Sequence, residues 1–98
     1  MATVLLKRGA KEDVAKADGS AMPAIMAGLR KLTVSPQLRG EPLGGQLRGF
    51  RKLVIGSRNL RIVYRYFDSE DTVRVYAIGA RRDLEVYLIA ESRFQEPD

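Results

Sequence analysis

The sequence predicts an α+β fold in which two N-terminal helices pack on one face of an antiparallel sheet and a short C-terminal helix follows. Three observations carry this reading. Closely spaced β-rich runs occupy the second half of the chain, an apolar stripe at helical spacing precedes them, and arginines alternate with aliphatic side chains along the longest run.

Thr3 to Lys7 is a β-branched and aliphatic run that predicts an N-terminal strand. From Gly9 to Ala17, Ala10, Val14 and Ala17 recur at helical spacing, and Asp18-Gly19 stops the pattern. Ser20 is a suitable N-cap for a second helix, with Pro23 tolerated in its first turn. Along that helix Met22, Ile25, Met26, Leu29 and Leu32 form one apolar stripe, and the methionines read as core filling. Ser35-Pro36 ends the helical stretch. Leu38 to Phe50 reads as a loop, interrupted by Gly40, Pro42, Gly44, Gly45 and Gly49. Its Gly44-Gly45 pair is no phosphate cradle, because no Gly-Lys-Ser/Thr follows and no helix opens there.

Arg51 to Ile55, Leu60 to Phe67 and Thr72 to Ile78 then read as three strands joined by short turns, which makes them an antiparallel meander. Asp83 can cap a last helix over Leu84 to Phe94. Period-2 alternation puts Arg61, Val63 and Arg65 on one side of the middle strand and Leu60, Ile62, Tyr64 and Tyr66 on the other. In the first strand Lys52 and Val54 share a side, opposite Arg51, Leu53 and Ile55. The sheet is thus expected to have one helix-covered face and one cationic face.

Composition narrows the chemistry. The chain has 98 residues, which predicts a single domain spanning 1–98 with one modest aliphatic core. It has no Cys and no His. That excludes a disulfide framework, a thiolate metal site and a cysteine nucleophile, and it removes the usual general base. Catalysis, if any, falls to Lys, Arg, Tyr, Ser or carboxylates. No apolar run approaches the roughly 18 residues of a membrane span, and no signal-peptide core is evident, so the cytoplasm is the expected location. The net charge is +5, and ten of the bases but only four of the acids lie between Arg39 and Arg82. Nine of those ten bases are arginines, whose planar donor fork suits phosphate. Such a stripe fits a nucleic-acid binder, and it equally fits a solubilising surface.

The order strand, two helices, Gly-rich loop, three-stranded meander and short C-terminal helix resembles the RelE/ParE toxin superfamily, over roughly Val4 to Phe94. The parts most specific to it are the loop from Pro42-Leu43 to Gly49-Phe50, the strand Leu60-Arg61-Ile62-Val63-Tyr64-Arg65, and the block from Ala77 to Tyr87. The resemblance implies a toxin of a type II toxin–antitoxin system. It is closest to the RelE branch, a metal-independent endoribonuclease that cuts mRNA in the ribosomal A site. The implied partners are the ribosome, mRNA and a cognate antitoxin, with no cofactor. The implied catalytic residues are Lys52, Arg61, Arg81 and Tyr87.

Cleavage by the RNA's own 2′-OH needs a base near that hydroxyl, cations on the phosphorane-like transition state and an acid at the 5′ leaving oxygen. Arg61 and Arg81 suit the phosphate, Arg81 also the leaving group, and Lys52 the proton acceptor. Tyr87 suits stacking on a base, ordering of the 2′-OH or proton transfer. Arg39, Arg48, Arg51, Arg58 and Arg82 are candidates for contacts to RNA and ribosome. Many family nucleases carry a second basic residue two positions after the first, where this chain has Val54. Two alternatives stand beside this reading: a ParE-like gyrase inhibitor without catalysis, and a catalytically degenerate RNA- or antitoxin-binding module.

Overall fold

Side-chain alternation along the longest strand decides the architecture, and the computed structural model bears it out. It describes residues 1–56, 60–79, 90, 92 and 93. In chain order these form β1 (Thr3–Leu6), α1 (Arg8–Lys16), α2 (Met22–Lys31), β2 (Glu41–Pro42), β3 (Arg51–Ile55), β4 (Leu60–Phe67) and β5 (Thr72–Gly79), with short 3₁₀ turns between them. One sheet holds all five strands in the order β1-β5-β4-β3-β2.

Ile62 and Tyr64 of β4, Leu53 and Ile55 of β3, and Val73, Val75 and Ile78 of β5 project to the helix side. There they meet Ala10 of α1, Ile25 of α2 and Leu32 just beyond it. Ile25, Leu32, Ile62, Val73 and Val75 are fully buried, each such side chain stabilising the fold by about 1.5–3 kcal/mol. The stripe on α2 is turned relative to the expected one. Met26 is 45% exposed and Gly28 faces the sheet instead. A Cβ on Gly28 would sit 2.8 Å from Ile55 Cγ2 and 2.9 Å from Ile62 Cδ1, so the missing side chain lets the helix ride close on β3 and β4.

Two strand features depart from expectation. The sheet is mixed, because β1 pairs in parallel with β5, from Thr3 opposite Thr72 to Leu6 opposite Val75. Short turns dictate antiparallel pairing only between consecutive strands. The direction of β1, separated from β5 by two helices and the rest of the meander, is set by where that crossover delivers the chain. The second departure is β2, a two-residue strand inside the segment expected to be all loop, with Glu41 opposite Lys52 and Pro42 opposite Arg51. Proline is tolerated there because β2 is the edge. The C-terminal helix expected over Leu84 to Phe94 lies outside the described residues apart from Ala90, Ser92 and Arg93.

Candidate functional site

The face of the sheet away from α1 and α2 carries the cations. Lys52 stands opposite Val63 and Val54 opposite Arg61, so all four share a side. Lys52 and Arg61 are therefore diagonal neighbours on adjacent strands, with Cα atoms roughly 7–8 Å apart. Arg61 is also paired with Gly79, the last residue of β5. Arg65 and Arg74 stand directly opposite each other further along the same face.

This face also has an apolar floor. Leu47, Phe50, Val63, Tyr76, Ala77 and Ala90 form a second buried cluster, with Leu43 packed against it. A bulge creates room for it. Val63 pairs with Ala77 and Tyr64 with Val75, which leaves Tyr76 as the extra residue. Tyr76 and Ala77 thus point the same way despite being consecutive, and the Tyr76 ring meets Phe50 edge-on at 5.1 Å. The Gly-rich loop closes over the cluster through the 3₁₀ turn Gly45–Leu47, which buries Leu47 and leaves Arg48 exposed at its end.

Two like charges directly across a strand pair repel, and aromatic faces offset this here. The Arg65 guanidinium lies 5.5 Å from the ring centres of both Phe50 and Phe67, and that of Arg74 lies 4.7 Å from Phe67. Glu70 accepts a hydrogen bond from Arg74 at 3.3 Å. Arg65, Arg74 and the two phenylalanines were not among the residues expected at the site. Alternation alone puts Arg65 beside Arg61, whereas Arg74 joins them only through the bulged register.

Lys52 is mostly buried, and its Nζ lies 3.5 Å from Glu41 Oε1, on a side chain that is 71% exposed. A Lys52 that accepts a proton must therefore give up a carboxylate that favours its ammonium form. Arg51 takes a different course. It lies opposite Tyr64, on the helix-covered side, and its Nε donates to Arg39 O at 2.7 Å while Nη2 donates to Gly40 O at 3.4 Å. The buried Tyr64 hydroxyl lies 2.9 Å from Pro36 O and 2.8 Å from Arg39 O, either of which accepts its proton. Burial pushes that phenol's pKa up, and Arg51 partly offsets the shift. Arg39 Nε donates to Val34 O at 3.1 Å. Arg39 and Arg51 thus tie down the loop entering β2 and are not gathered with Lys52 and Arg61. Arg58, Arg81, Arg82 and Tyr87 lie outside the described residues.

No cluster of His, Cys, Asp or Glu among the described residues is arranged to hold a metal ion. No helix among them is long and apolar enough to cross a membrane. The site is a cationic surface on a rigid sheet, suited to binding and stabilising phosphate charge.

No protein-family model and no curated protein matches the sequence. Solved structures do. A chain of the RelBE2 toxin–antitoxin complex from Mycobacterium tuberculosis is 26% identical, with a TM-score of 0.74 over 82% of this chain and 98% of that one. A mutant of E. coli toxin RelE in the free state is 24% identical, with a TM-score of 0.79 over 96% of this chain and 99% of that one. A protein from Helicobacter pylori is 25% identical, with a TM-score of 0.58 over 81% and 93%. The chain has the RelE-type toxin fold.

Proposed function

We propose that the chain is the toxin of a type II toxin–antitoxin pair and a metal-independent endoribonuclease that cuts mRNA in the ribosomal A site. The observation that carries this reading is the diagonal pair Lys52 and Arg61 on the open face, with β5 ending opposite Arg61 two residues before Arg81. One fold serves several activities, so the argument rests on these residues and not on the fold alone.

In the reaction the 2′ oxygen bonds to the adjacent phosphorus while the bond to the 5′ oxygen breaks. The products are a 2′,3′-cyclic phosphate and a 5′-hydroxyl end. Arg61 holds the charge that gathers on the phosphate, Arg81 does the same and supplies the proton to the leaving oxygen, and Lys52 accepts the proton of the 2′-OH. Tyr87 stacks on a base. With no histidine in the chain, proton transfer is inefficient unless the RNA is already aligned, which the ribosome provides. Arg48, Arg58 and Arg82 dock on ribosomal RNA phosphates in the cytoplasm. The partner antitoxin is an acidic chain that covers the cationic face, in keeping with the Mycobacterium tuberculosis structure being a toxin–antitoxin complex.

One observation favours a rival reading, a degenerate binding module: Val54, 41% exposed, stands on the active face where a second cation is usual in the nucleases. Primer extension on mRNA after brief induction separates the two. The nuclease gives cuts in phase with codons, absent with Arg81→Ala; a binding module gives none.

The ion pair with Glu41 supplies a test of the role of Lys52. If Lys52 is the proton acceptor, Glu41→Gln raises cleavage at neutral pH about two- to threefold and moves the rising limb of the pH–rate profile to lower pH. If Lys52 acts only as a fixed cation, the profile keeps its position.

A further inference from the structure

The far end of the cationic face holds a second pair of charges. Arg65 and Arg74 are direct partners across β4 and β5, with Cα atoms roughly 4.5–5.5 Å apart. Both guanidiniums gather at one ring, 5.5 Å and 4.7 Å from the Phe67 centre, and Arg65 also lies 5.5 Å from that of Phe50. The rings hold the two donor forks side by side on the sheet.

This placement costs stability on two counts. Like charges directly across a strand pair repel. Arg74 Nε is buried with no hydrogen-bond partner among the described residues, and an unmade bond of that kind is unfavourable. Glu70 takes one donor of Arg74, at 3.3 Å, through a carboxylate that is 54% exposed and balances one charge of the two. Two planar forks meeting at one place suit a phosphate diester, whose two non-bridging oxygens each accept from one fork. Arg61 and Arg65 share a side of β4 four residues apart, about 13 Å along the strand. A nucleic-acid strand held at Arg61 therefore reaches the second pair only after further nucleotides, and the two places are separate sites.

We propose that Arg65 and Arg74 form a second phosphate site, which holds the backbone of single-stranded RNA away from the nucleotide that is cut. That this strand is the substrate rests on the nuclease reading above; the phosphate site itself does not. An acidic peptide could meet the same forks, but cations in line along β4 favour a polyanion with regularly spaced charges. The pair touches no reacting atom. It fixes the strand on the face and reads no base, as backbone contacts do.

The test measures binding of a 2′-O-methyl uridine octanucleotide, which carries the phosphates and offers no 2′-OH for cleavage, by anisotropy over a range of salt. Arg65→Gln/Arg74→Gln is expected to weaken binding about fivefold or more and to lower the salt slope by about 0.7, the share of one phosphate contact. Arg65→Lys/Arg74→Lys keeps the charges and loses the forks, so the slope stays and affinity falls part of the way. Glu70→Gln frees Arg74 of its carboxylate and is expected to tighten binding about two- to threefold, a gain that misfolding cannot produce. Lys16→Ala/Lys31→Ala is the control of equal charge, removing two exposed cations from α1 and α2 on the other side of the sheet, and binding should stay within about twofold. No RNA binding by the wild type, or equal losses in the glutamine pair and the control, overturn the proposal. A glutamate octapeptide is the rival probe: if the glutamine pair loses it and keeps the RNA, the forks belong to a protein carboxylate and the proposal falls. Should the wild-type protein cut no mRNA on ribosomes, the nuclease reading falls by itself, and the octanucleotide comparison still decides the phosphate site.

Discussion

Arg61→Ala is expected to reduce single-turnover mRNA cleavage on saturated ribosomes by roughly 10²-fold or more, with ribosome affinity changed only a few-fold. The reason lies in where β4 holds this side chain. Arg61 sits within the sheet, flanked by Val54 on one side and Gly79 on the other, so its guanidinium starts from fixed backbone. On the proposed nuclease reading, a cation carried on that backbone acts where negative charge develops on the phosphate, at the transition state more than in docking. Arg61→Lys keeps the charge and loses the fork, and an intermediate rate is expected. Arg48, exposed on the loop, should behave oppositely: Arg48→Ala weakens binding, more so at higher salt, and leaves the saturating rate near wild type. Equal losses of affinity and rate in Arg61→Ala would make it one more docking residue.

Gly40→Ala should be among the most destabilising small substitutions in the chain, costing about 3 kcal/mol or more by urea denaturation. Two effects combine. Gly40 has φ +58°, in the left-handed region, and a Cβ there would collide with the Lys52 carbonyl and lie 3.3 Å from Leu53 Cα. Backbone cannot swing aside as a side chain can, so the loop must separate from β3. That breaks the β2–β3 pairing that brings Glu41 to Lys52 and strains the anchors that Arg51 and Tyr64 make to Arg39 O. Gly45→Ala is the matching control, with φ +62° and nothing within 4 Å of its Cβ, and it should cost only about 1 kcal/mol. Similar losses in the two variants would mean that left-handed strain, and not the close approach to β3, governs Gly40.

The strands nearest the site were legible because two local signals agreed. Turn residues bounded Arg51–Ile55 and Leu60–Phe67, and alternation put Lys52, Arg61 and Arg65 on one face and Ile62 and Tyr64 on the other, as observed. What escaped was set by distant partners. The direction of β1 depends on a crossover and not on a turn. The inward turn of Tyr76 together with Ala77 depends on a bulge, which alternation cannot foresee. On α2, Met26 looked like core because of its spacing, and the close approach that Gly28 permits rotates the buried stripe away from it. Arg51 is the instructive case among the cations. Its place in a basic run suggested RNA, whereas the odd side of β3 carries it to the loop carbonyls of Arg39 and Gly40. The ion pair of Asp13 with Arg93, eighty residues away, left no trace in local spacing.

The most direct measurement is end-group analysis of mRNA bound to purified ribosomes with a codon in the A site, treated with the purified protein. The account predicts cleavage within that codon, leaving a 2′,3′-cyclic phosphate upstream and a 5′-hydroxyl downstream, with the same RNA off the ribosome cut far more slowly. Intact mRNA on the ribosome, together with loss of supercoiling by purified gyrase in the presence of the protein, would contradict it and give the cationic face to a different target.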